Sequence, residues 1–313
     1  MSEPRVGVLS GGTGTPKLLR GLRELDANFF VIVNTGEDRE VLGLYVSPDV
    51  DTVLYTLAGI INDETWYGVR GDTFRGHEFL EEELDVDELL RIGDVDRAFK
   101  QYRTYLMERK GMSLSEAVDE LRRRLGIKWK VYPMTDDRVV TIIVTDEGEM
   151  HFHEFWVEKR GQPAVKDVRY EGAEEASAPP KAVDDLLRAD VVLIGPSNPV
   201  TSIGPILSVS DIRHAVREKP VVLVSPFIGN EPVSGPAGKL MRAVGFEPNV
   251  RGLVEYYRGW GIDPDVLIMD ERDDVEPPGD VEVVRTDTIM KTEEDSIRLA
   301  KEVMSVLREV AGS

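Results

Sequence analysis

The sequence predicts an α/β fold: a doubly wound, mainly parallel, Rossmann-like sheet with a helical insertion subdomain. Short apolar runs recur in both halves of the chain and alternate with amphipathic segments, as expected of a parallel sheet covered by helices. The stretch between these halves has mainly helical patterns. The 313 residues are enough to bury a large core. We therefore expect a single α/β domain over residues 1–313, with a helical insertion at approximately 64–128.

The first strand–helix–strand unit lies near the N-terminus. Arg5–Ser10 and Phe29–Asn34 are apolar runs of strand length. Between them, a glycine-rich turn leads into a segment with leucines at helical spacing, and Pro16 suits its first turn. This order is typical of the βαβ unit of a parallel sheet.

The middle of the chain changes from helical to strand patterns. From about residue 78 to residue 126 helix formers dominate, and Ser113 with Glu116 forms a capping box. A short turn, Asp146 to Gly148, then joins two of the strand patterns as a hairpin. The predicted strands here are Lys130–Pro133, Val139–Thr145 and Met150–Glu158. Ala173–Pro180 has the composition of a linker.

A second α/β run completes the chain. Val191–Gly195, Val221–Ser225 and Val266–Met269 are short apolar strands separated by helical segments. The tail, Thr292–Val310, is predicted to be one amphipathic helix. In a doubly wound sheet, ligands bind at the carboxyl ends of the strands, so the residues after each strand are the candidate site.

Charge and composition narrow the classes of partner. Asp and Glu number 58 against 38 Lys and Arg, a formal net charge of −20. A field of this sign repels nucleic acids and anionic membrane surfaces, so we expect neither as a partner. The absence of cysteine excludes disulfides, thiolate metal sites and cysteine nucleophiles. Without a secretory signal pattern, a cytoplasmic enzyme is expected. The acidic surface has two possible explanations, a cytosol of high salt concentration or ordinary solubility.

The loop after the first strand predicts a phosphate site. Glycines allow a ligand close to the backbone, the amides of a helix N-terminus suit phosphate, and a lysine adds charge. A tight turn without ligand is the alternative. The loop is neither a P-loop nor a G-x-G-x-x-G fingerprint, which disfavours a P-loop triphosphatase and an NAD-dependent oxidoreductase. The residues concerned are Gly11, Gly12, Thr13, Gly14 and Lys17.

Acidic and basic side chains follow the next elements. Asn34 and Asp38 come after the second strand and either line a ligand cleft or form a solvated loop. Asp49 and Asp51 open a helix; they could hold Mg²⁺, although helix capping explains one of them without a metal. Arg91 could clamp an anion or belong to a solvated face.

Small polar loops after the later strands predict a nucleotide-sized cleft. Ser197 and Asn198 could read a nucleobase edge, or cap the following helix. His151 and His153 alternate on one predicted strand, and with no third ligand evident they are expected to be partly buried in a sheet. The four tryptophans, Trp66, Trp129, Trp156 and Trp260, are expected to pack rather than to stack on a ligand.

Taken together, these motifs resemble the 2-phospho-L-lactate transferase family. They run in collinear order over nearly the whole chain. The segments that carry the resemblance are SGGTGTPKLLRGL (Ser10–Leu22), NTGED (Asn34–Asp38), SPDVDTVLY (Ser47–Tyr55), DTF (Asp72–Phe74), IGDVDRA (Ile92–Ala98), PMTDDRV (Pro133–Val139), HFHEFWV (His151–Val157), IGPSNPVTSIGPIL (Ile194–Leu207), SPFIGNEPVSGPAGKLM (Ser225–Met241) and EYY (Glu255–Tyr257).

The resemblance implies a Mg²⁺-dependent transfer of a 2-phospholactyl group. The donor is lactyl-2-diphospho-5′-guanosine, or its enolpyruvyl analogue. The acceptor is the ribityl hydroxyl of the deazaflavin Fo, and GMP is released, in the biosynthesis of coenzyme F-420. The resemblance also implies a homodimer. A nucleotide-sugar-binding regulatory protein of the same superfamily is the alternative, disfavoured by the Asp49/Asp51 and Arg91 segments.

The same resemblance assigns roles to the candidate residues. The glycine loop with Lys17 would cradle the donor diphosphate, and Ser197 and Asn198 would lie at the guanine. Asp51, assisted by Asp49, would hold Mg²⁺ or orient the Fo hydroxyl. Arg91 would contact Fo. Asn34 and Asp38 would line the cleft, and the helical insertion would cover the Fo site.

Overall fold

A computed structural model describes residues 3–312 of the chain. Strands and helices alternate along both halves, and a helical stretch lies between them. The strands are β1 Val6–Ser10, β2 Phe29–Val33, β3 Arg39–Val41, β4 Leu44–Val46, β5 Lys130–Pro133, β6 Val140–Thr145, β7 Gly148–His151, β8 Val165–Glu171, β9 Val191–Ile194, β10 Val221–Val224, β11 Phe227–Ile228, β12 Glu231–Pro232, β13 Val266–Asp270 and β14 Glu282–Thr286.

The helices cover the central sheet and form most of the middle stretch. Two short segments, Glu154–Glu158 and Pro199–Ile203, are π-helical. The α-helices are α1 Gly14–Glu24, α2 Pro48–Ala58, α3 Arg75–Glu82, α4 Asp94–Lys110, α5 Leu114–Arg124, α6 Pro180–Leu187, α7 Gly204–Ser208, α8 Ser210–Arg217, α9 Ala237–Ala243, α10 Val250–Gly259 and α11 Glu293–Ala311.

The central sheet has seven strands in the order β14-β13-β10-β9-β1-β2-β5, and each neighbouring pair is parallel. From β1 the chain adds strands on one side, through β2 and β5. After β5 it returns to β9 on the other side and continues outwards to β14. The order therefore reverses at β1, which places a topological switch point between β1 and β9. The predicted doubly wound parallel fold is confirmed.

Both faces of this sheet are buried. Val8, Leu193 and Val222 pack on one face with α1, α2, α5 and α11. Leu9, Ile194 and Leu223 pack on the other face. Burial on both sides explains why the strands are continuous apolar runs instead of alternating apolar and polar residues.

A second, antiparallel sheet of three strands, in the order β7-β6-β8, follows the first half of the central sheet. The predicted hairpin at Gly148 is present, with a φ of +119° that glycine tolerates. The predicted strand Met150–Glu158 is wrong beyond His151, where the chain turns into a π-helical segment. Phe152 and Phe155 are both buried in the core, a three-residue spacing that a helical turn permits and a strand does not.

The stretch Ala173–Pro180 is not a solvated linker. Ala173, Ala176 and Ala178 are buried in the core beside β8. Alanine and proline gave the composition of a linker, but small side chains also suit close packing against a sheet.

The predicted insertion contains α3, α4 and α5, and Ser113 and Glu116 form the expected capping box at the start of α5. The grouping of the chain into one domain with an insertion stays a prediction.

Within residues 3–312 we find no helix that has both the length and the apolar character needed to cross a bilayer.

Candidate active site

A cavity of about 690 Å³ opens at the carboxyl edge of the central sheet, around the switch point. Its wall combines loops that follow β1, β2, β9 and β10 with segments from the helical stretch and from the second sheet. The lining residues are 12–14, 17, 37, 48–49, 52, 65–67, 89–91, 152–153, 156–157, 196–198, 201–202, 225–226, 233–237 and 288–291.

The glycine loop lies directly against the loop that follows β9. A Cβ built on Gly14 would come within 1.8 Å of the Pro196 carbonyl oxygen, so only glycine fits there. Ser197 joins the two loops: its hydroxyl donates to the Gly11 carbonyl and accepts from the Thr15 amide at 3.1 Å. The start of α1 is thereby held at the cavity. Thr15 donates its amide to Ser197 and Pro16 has no N–H, so the positive end of the helix dipole, with the Gly14 amide, is what suits an anion there.

Asn198 lines the cavity and also caps a helical segment. Its side-chain oxygen accepts from the amides of Val200 and Thr201, at 3.0 and 3.3 Å. The capping alternative considered for this residue is therefore present. Its amide nitrogen is not used in those two bonds.

Lys17 and Trp66 form one wall of the cavity. The Lys17 ammonium lies over the Trp66 ring, 5.4 Å from its centroid, and the Arg20 guanidinium lies 5.0 Å from the same ring. Burial, with the nearby Arg20 charge, lowers the pKa of Lys17 from its ordinary value. Trp66 has a φ of +56°, a strained backbone conformation of the kind that concentrates at functional sites.

Asp49 brings a carboxylate to the cavity from the first turn of α2. The Asn34 amide donates to it at 2.8 Å and also donates to the Thr201 carbonyl. Burial raises the pKa of Asp49 to about 6, although hydrogen bonds from the Gly12 amide and from Asn34 act in the opposite direction. Asn34 therefore acts at the cavity through Asp49.

Glu37 is a second carboxylate in the cavity wall. Burial raises its pKa well above the ordinary value, and the charges of Asp49 and Asp38 raise it further. His153 lies beside it, with 3.9 Å between Nε2 and the Glu37 carboxylate. Burial and the neighbouring His151 lower the pKa of His153 to about 3, so this imidazole is neutral at physiological pH.

Asp51 points away from the cavity, towards α4. Its two oxygens are bound by Arg103, at 2.5 and 3.2 Å, and Lys100 lies 3.0 Å from the second. Burial alone would raise the pKa of Asp51, but these two cations lower it below the ordinary value. Asp38 is also held behind the wall, by the hydroxyls of Ser47 and Tyr45.

Arg91 lies on the rim at the helical stretch. Its guanidinium stacks over Phe74, 4.2 Å from the ring centroid, and its side chain is 62% exposed. It lines both the main cavity and a neighbouring cavity of about 370 Å³. Glu78 lies 3.9 Å from this guanidinium, but both side chains are more than half exposed, so Arg91 is accessible to a ligand.

Comparison with known proteins agrees with the predicted resemblance. The family model for the 2-phospho-L-lactate transferase CofD matches residues 6–309. The chain belongs to this family. A 2-phospho-L-lactate transferase of Methanopyrus kandleri is 79% identical over 98% of this chain and 99% of its own length. One of Methanocaldococcus jannaschii is 53% identical over 95% of this chain and 96% of its own length.

The fold has solved counterparts at low sequence identity. A protein of the UPF0052 family from Bacillus halodurans aligns with a TM-score of 0.68 and 17% identity, covering 97% of this chain and 99% of its own. At this identity the likeness shows the fold alone. The family match identifies the protein as a transferase.

The structure sorts the predicted site residues of this transferase into two layers. On the cavity wall lie Gly12, Thr13, Gly14, Lys17, Asp49, Arg91, Ser197 and Asn198. Behind the wall lie Gly11, Asn34, Asp38 and Asp51, each hydrogen-bonded or ion-paired to other protein groups.

Sequence reasoning missed Glu37 and Tyr67, expected His153 to be partly buried in a sheet, and treated Trp66 and Trp156 as packing only; all five line the cavity. Glu37 lies in the segment after β2 from which Asn34 and Asp38 were chosen, so the same rule could have predicted it as a site residue. Trp66 and Tyr67 come from a loop without periodic pattern, and nothing local marks them.

The donor set of the wall fits a divalent cation that also binds substrate phosphate. Mg²⁺ prefers oxygen ligands and is often held by one or two carboxylates together with phosphate oxygens. Asp49 and Glu37 line the same cavity, whereas the oxygens of Asp51 are occupied by Arg103 and Lys100. In residues 3–312 no cluster of three or more His, Asp or Glu side chains forms a complete protein cage.

Proposed function

We propose that this transferase moves the 2-phospholactyl group of lactyl-2-diphospho-5′-guanosine, or of its enolpyruvyl analogue, to the ribityl hydroxyl of Fo. GMP is released, and the product enters coenzyme F-420 biosynthesis. One feature carries the proposal: a single cavity combines an anion site at the start of α1 with two buried carboxylates. The family match and its transferase relatives support it.

The donor diphosphate fits the glycine loop. The amides at the start of α1 and the Lys17 ammonium supply positive potential, and the close approach at Gly14 keeps this backbone in place. Ser197 and Asn198 lie next to this loop on the wall, and we place the guanosine on their side.

The acceptor fits the side of the cavity formed by the helical stretch. Trp66, Leu89 and Leu90 supply apolar wall there, and Arg91 supplies an exposed charge at the rim. A planar deazaflavin ring needs such an apolar surface, and its polar edge needs a partner. With the ring bound there, we expect the ribityl hydroxyl to face Asp49 and the diphosphate.

In the reaction the Fo hydroxyl oxygen forms a bond to the phosphorus that carries lactate. The bond from that phosphorus to the oxygen shared with GMP breaks, and the hydroxyl proton is released. Such transfers depend mainly on positioning and charge neutralisation. We assign Asp49 to orienting the hydroxyl, since it lines the cavity; Asp51 stays a predicted site residue that acts from behind the wall.

Mg²⁺ completes the proposal. Asp49 and Glu37 would hold it together with donor phosphate oxygens, and it would supply charge neutralisation at the diphosphate. Burial disfavours the charged forms of both carboxylates, and the charge of Asp49 adds to this at Glu37, so a nearby cation would stabilise the charged forms of both.

Incubation with Fo, Mg²⁺ and each guanosine donor tests the proposal, with GMP and the phospholactyl product followed by mass spectrometry. Product formation from either donor supports the transfer and names the donor. Binding of a UDP-sugar without transfer from either donor would instead favour the nucleotide-sugar-binding alternative.

We also propose a cytoplasmic homodimer, on the strength of the family resemblance. Light scattering after size-exclusion chromatography tests the dimer, and a mass of one chain would contradict it. Fractionation of cells tests the location.

A further inference from the structure

Four ionised side chains form a buried network between α2 and α4. Asp51 is bound by Arg103 and Lys100, as described above, and Lys100 also bonds Asp96. All four side chains are at most 4% exposed. Tyr55 donates its hydroxyl to Asp96 at 2.7 Å. Two acids thus balance two bases.

Such a network is a costly way to stabilise a fold. Transferring charges from water to a protein interior often costs as much free energy as the ion pairs return, whereas removing one partner of a buried pair is strongly destabilising. Apolar residues could fill the same space. The network therefore calls for a role other than stability.

Its position indicates that role. Asp49 and Asp51 lie two residues apart in the first turn of α2, and they point in different directions. Asp49 lines the cavity, whereas Asp51 contacts α4. Holding Asp51 therefore fixes the turn that carries Asp49.

The other end of the network lies in the helical stretch. Arg103 and Lys100 belong to α4, which begins three residues after the rim residue Arg91. Arg103 also donates to the Tyr45 carbonyl at 2.8 Å, in β4, the strand that precedes α2. The network thus joins the rim on one side of the cavity to Asp49 on the other.

We propose that Arg103 and Lys100 are positioning residues of the transferase: they hold Asp51 and so set the distance between Asp49 and the rim at which the acceptor binds. The proposal rests on the proposed function. Asp49 also accepts from the Gly12 amide, but the donor loop is held in addition by Ser197, through the Gly11 carbonyl and the Thr15 amide. Arg103 and Lys100 therefore act mainly on the acceptor side of the reaction.

Arg103→Lys is the test, because lysine keeps the positive charge but cannot make the bidentate contact with Asp51. The matched control is Arg122→Lys. Arg122 is also a buried arginine of the helical stretch, and it bonds Asp119 and the Ile127 carbonyl away from the cavity wall. Each variant loses two guanidinium contacts with an acid, to both oxygens of Asp51 in one case and to a single oxygen of Asp119 in the other. A loss of transfer that follows from disturbing any buried arginine of the helical stretch would therefore appear in both variants.

We expect kcat/KM for Fo to fall by about 100-fold in Arg103→Lys, the effect of a displacement near 1 Å. GMP binding by calorimetry should stay within about threefold, and Arg122→Lys should transfer as the wild type does. Wild-type kcat/KM in Arg103→Lys, or an equal loss in Arg122→Lys, would overturn the inference.

A second variant keeps the test decisive if Arg103→Lys does not fold. Lys100→Gln leaves the Asp51–Arg103 pair in place, and we expect about a 10-fold lower kcat/KM for Fo with GMP binding unchanged. Wild-type kinetics in a folded Lys100→Gln would contradict the proposal. A wild-type protein without transfer would instead contradict the proposed function.

Discussion

Replacing Gly14 by alanine tests the contact between the two loops that flank the switch point. The new Cβ would lie 1.8 Å from the Pro196 carbonyl oxygen and 2.8 Å from its carbon. Both are backbone atoms, so no side chain can rotate away. The loops would have to separate by about 1.2 Å to reach 3.0 Å, a distance that real Cβ contacts essentially never undercut.

That displacement moves the proposed diphosphate site relative to the rest of the cavity. A shift near 1 Å costs on the order of 100-fold in rate, so we expect kcat/KM for the guanosine donor to fall at least 100-fold. The strain of overpacking is about 1–3 kcal/mol. With an unfolding entropy of roughly 2.1 cal/mol/K per residue, the melting temperature should fall by a few degrees only.

Steady-state transfer with varied donor, GMP calorimetry and thermal melting form the assay. Gly279→Ala is the control, since a Cβ there would meet no atom within 4 Å. A Gly14→Ala enzyme that binds GMP and transfers as Gly279→Ala does would refute the packing of these loops as described.

Three further predictions follow from the site. Asp49→Asn should keep GMP binding and lower transfer at least 100-fold, because the amide has no negative charge to help hold the cation and offers one acceptor oxygen instead of two; a transfer assay checks this, and a rate near wild type would remove Asp49 from the reaction. His153 has its pKa lowered by burial to about 3, so the unfolded chain binds its proton below pH 6.5 and the folded chain does not. The contribution of His153 to the free energy of unfolding should therefore fall by up to about 2 kcal/mol between pH 7.5 and pH 5, while the acids with raised pKa contribute in the opposite direction. In urea titrations the wild type should lose about that much relative to His153→Gln, and an equal change in both proteins would contradict the prediction. Asp72→Ala should cost about 1 kcal/mol in the same titration, because Asp72 accepts from the Val95 and Asp96 amides at the start of α4; unchanged stability would contradict this capping role.

The parallel sheet could be predicted because its strands are buried on both faces and its connections are regular. Val191–Ile194 and Val221–Val224 are uninterrupted apolar runs, and each ends in a polar loop at the expected edge. The same rule selected the glycine loop and Asn198 as residues of one cleft, and the structure brings them together with Asp49, which was chosen as an acid at the start of a predicted helix.

The direction of Asp51 could not be predicted. Its partner Arg103 is 52 residues away, and the contact depends on how α4 packs against α2. Spacing placed Asp49 and Asp51 on one helical turn, but two residues on a helix differ by about 200° in direction, so only one faces the cavity. The place of Trp66 on the cavity wall could not be predicted for a related reason: it is a left-handed residue in a loop, and such a loop follows no periodic pattern.

The central claim is tested most directly by one reaction mixture: the protein, Fo, Mg²⁺ and lactyl-2-diphospho-5′-guanosine or its enolpyruvyl analogue, followed by mass spectrometry. The account predicts GMP and the phospholactyl or enolpyruvyl product in equal amounts. Folded protein that binds GMP but yields no product from either donor would contradict it.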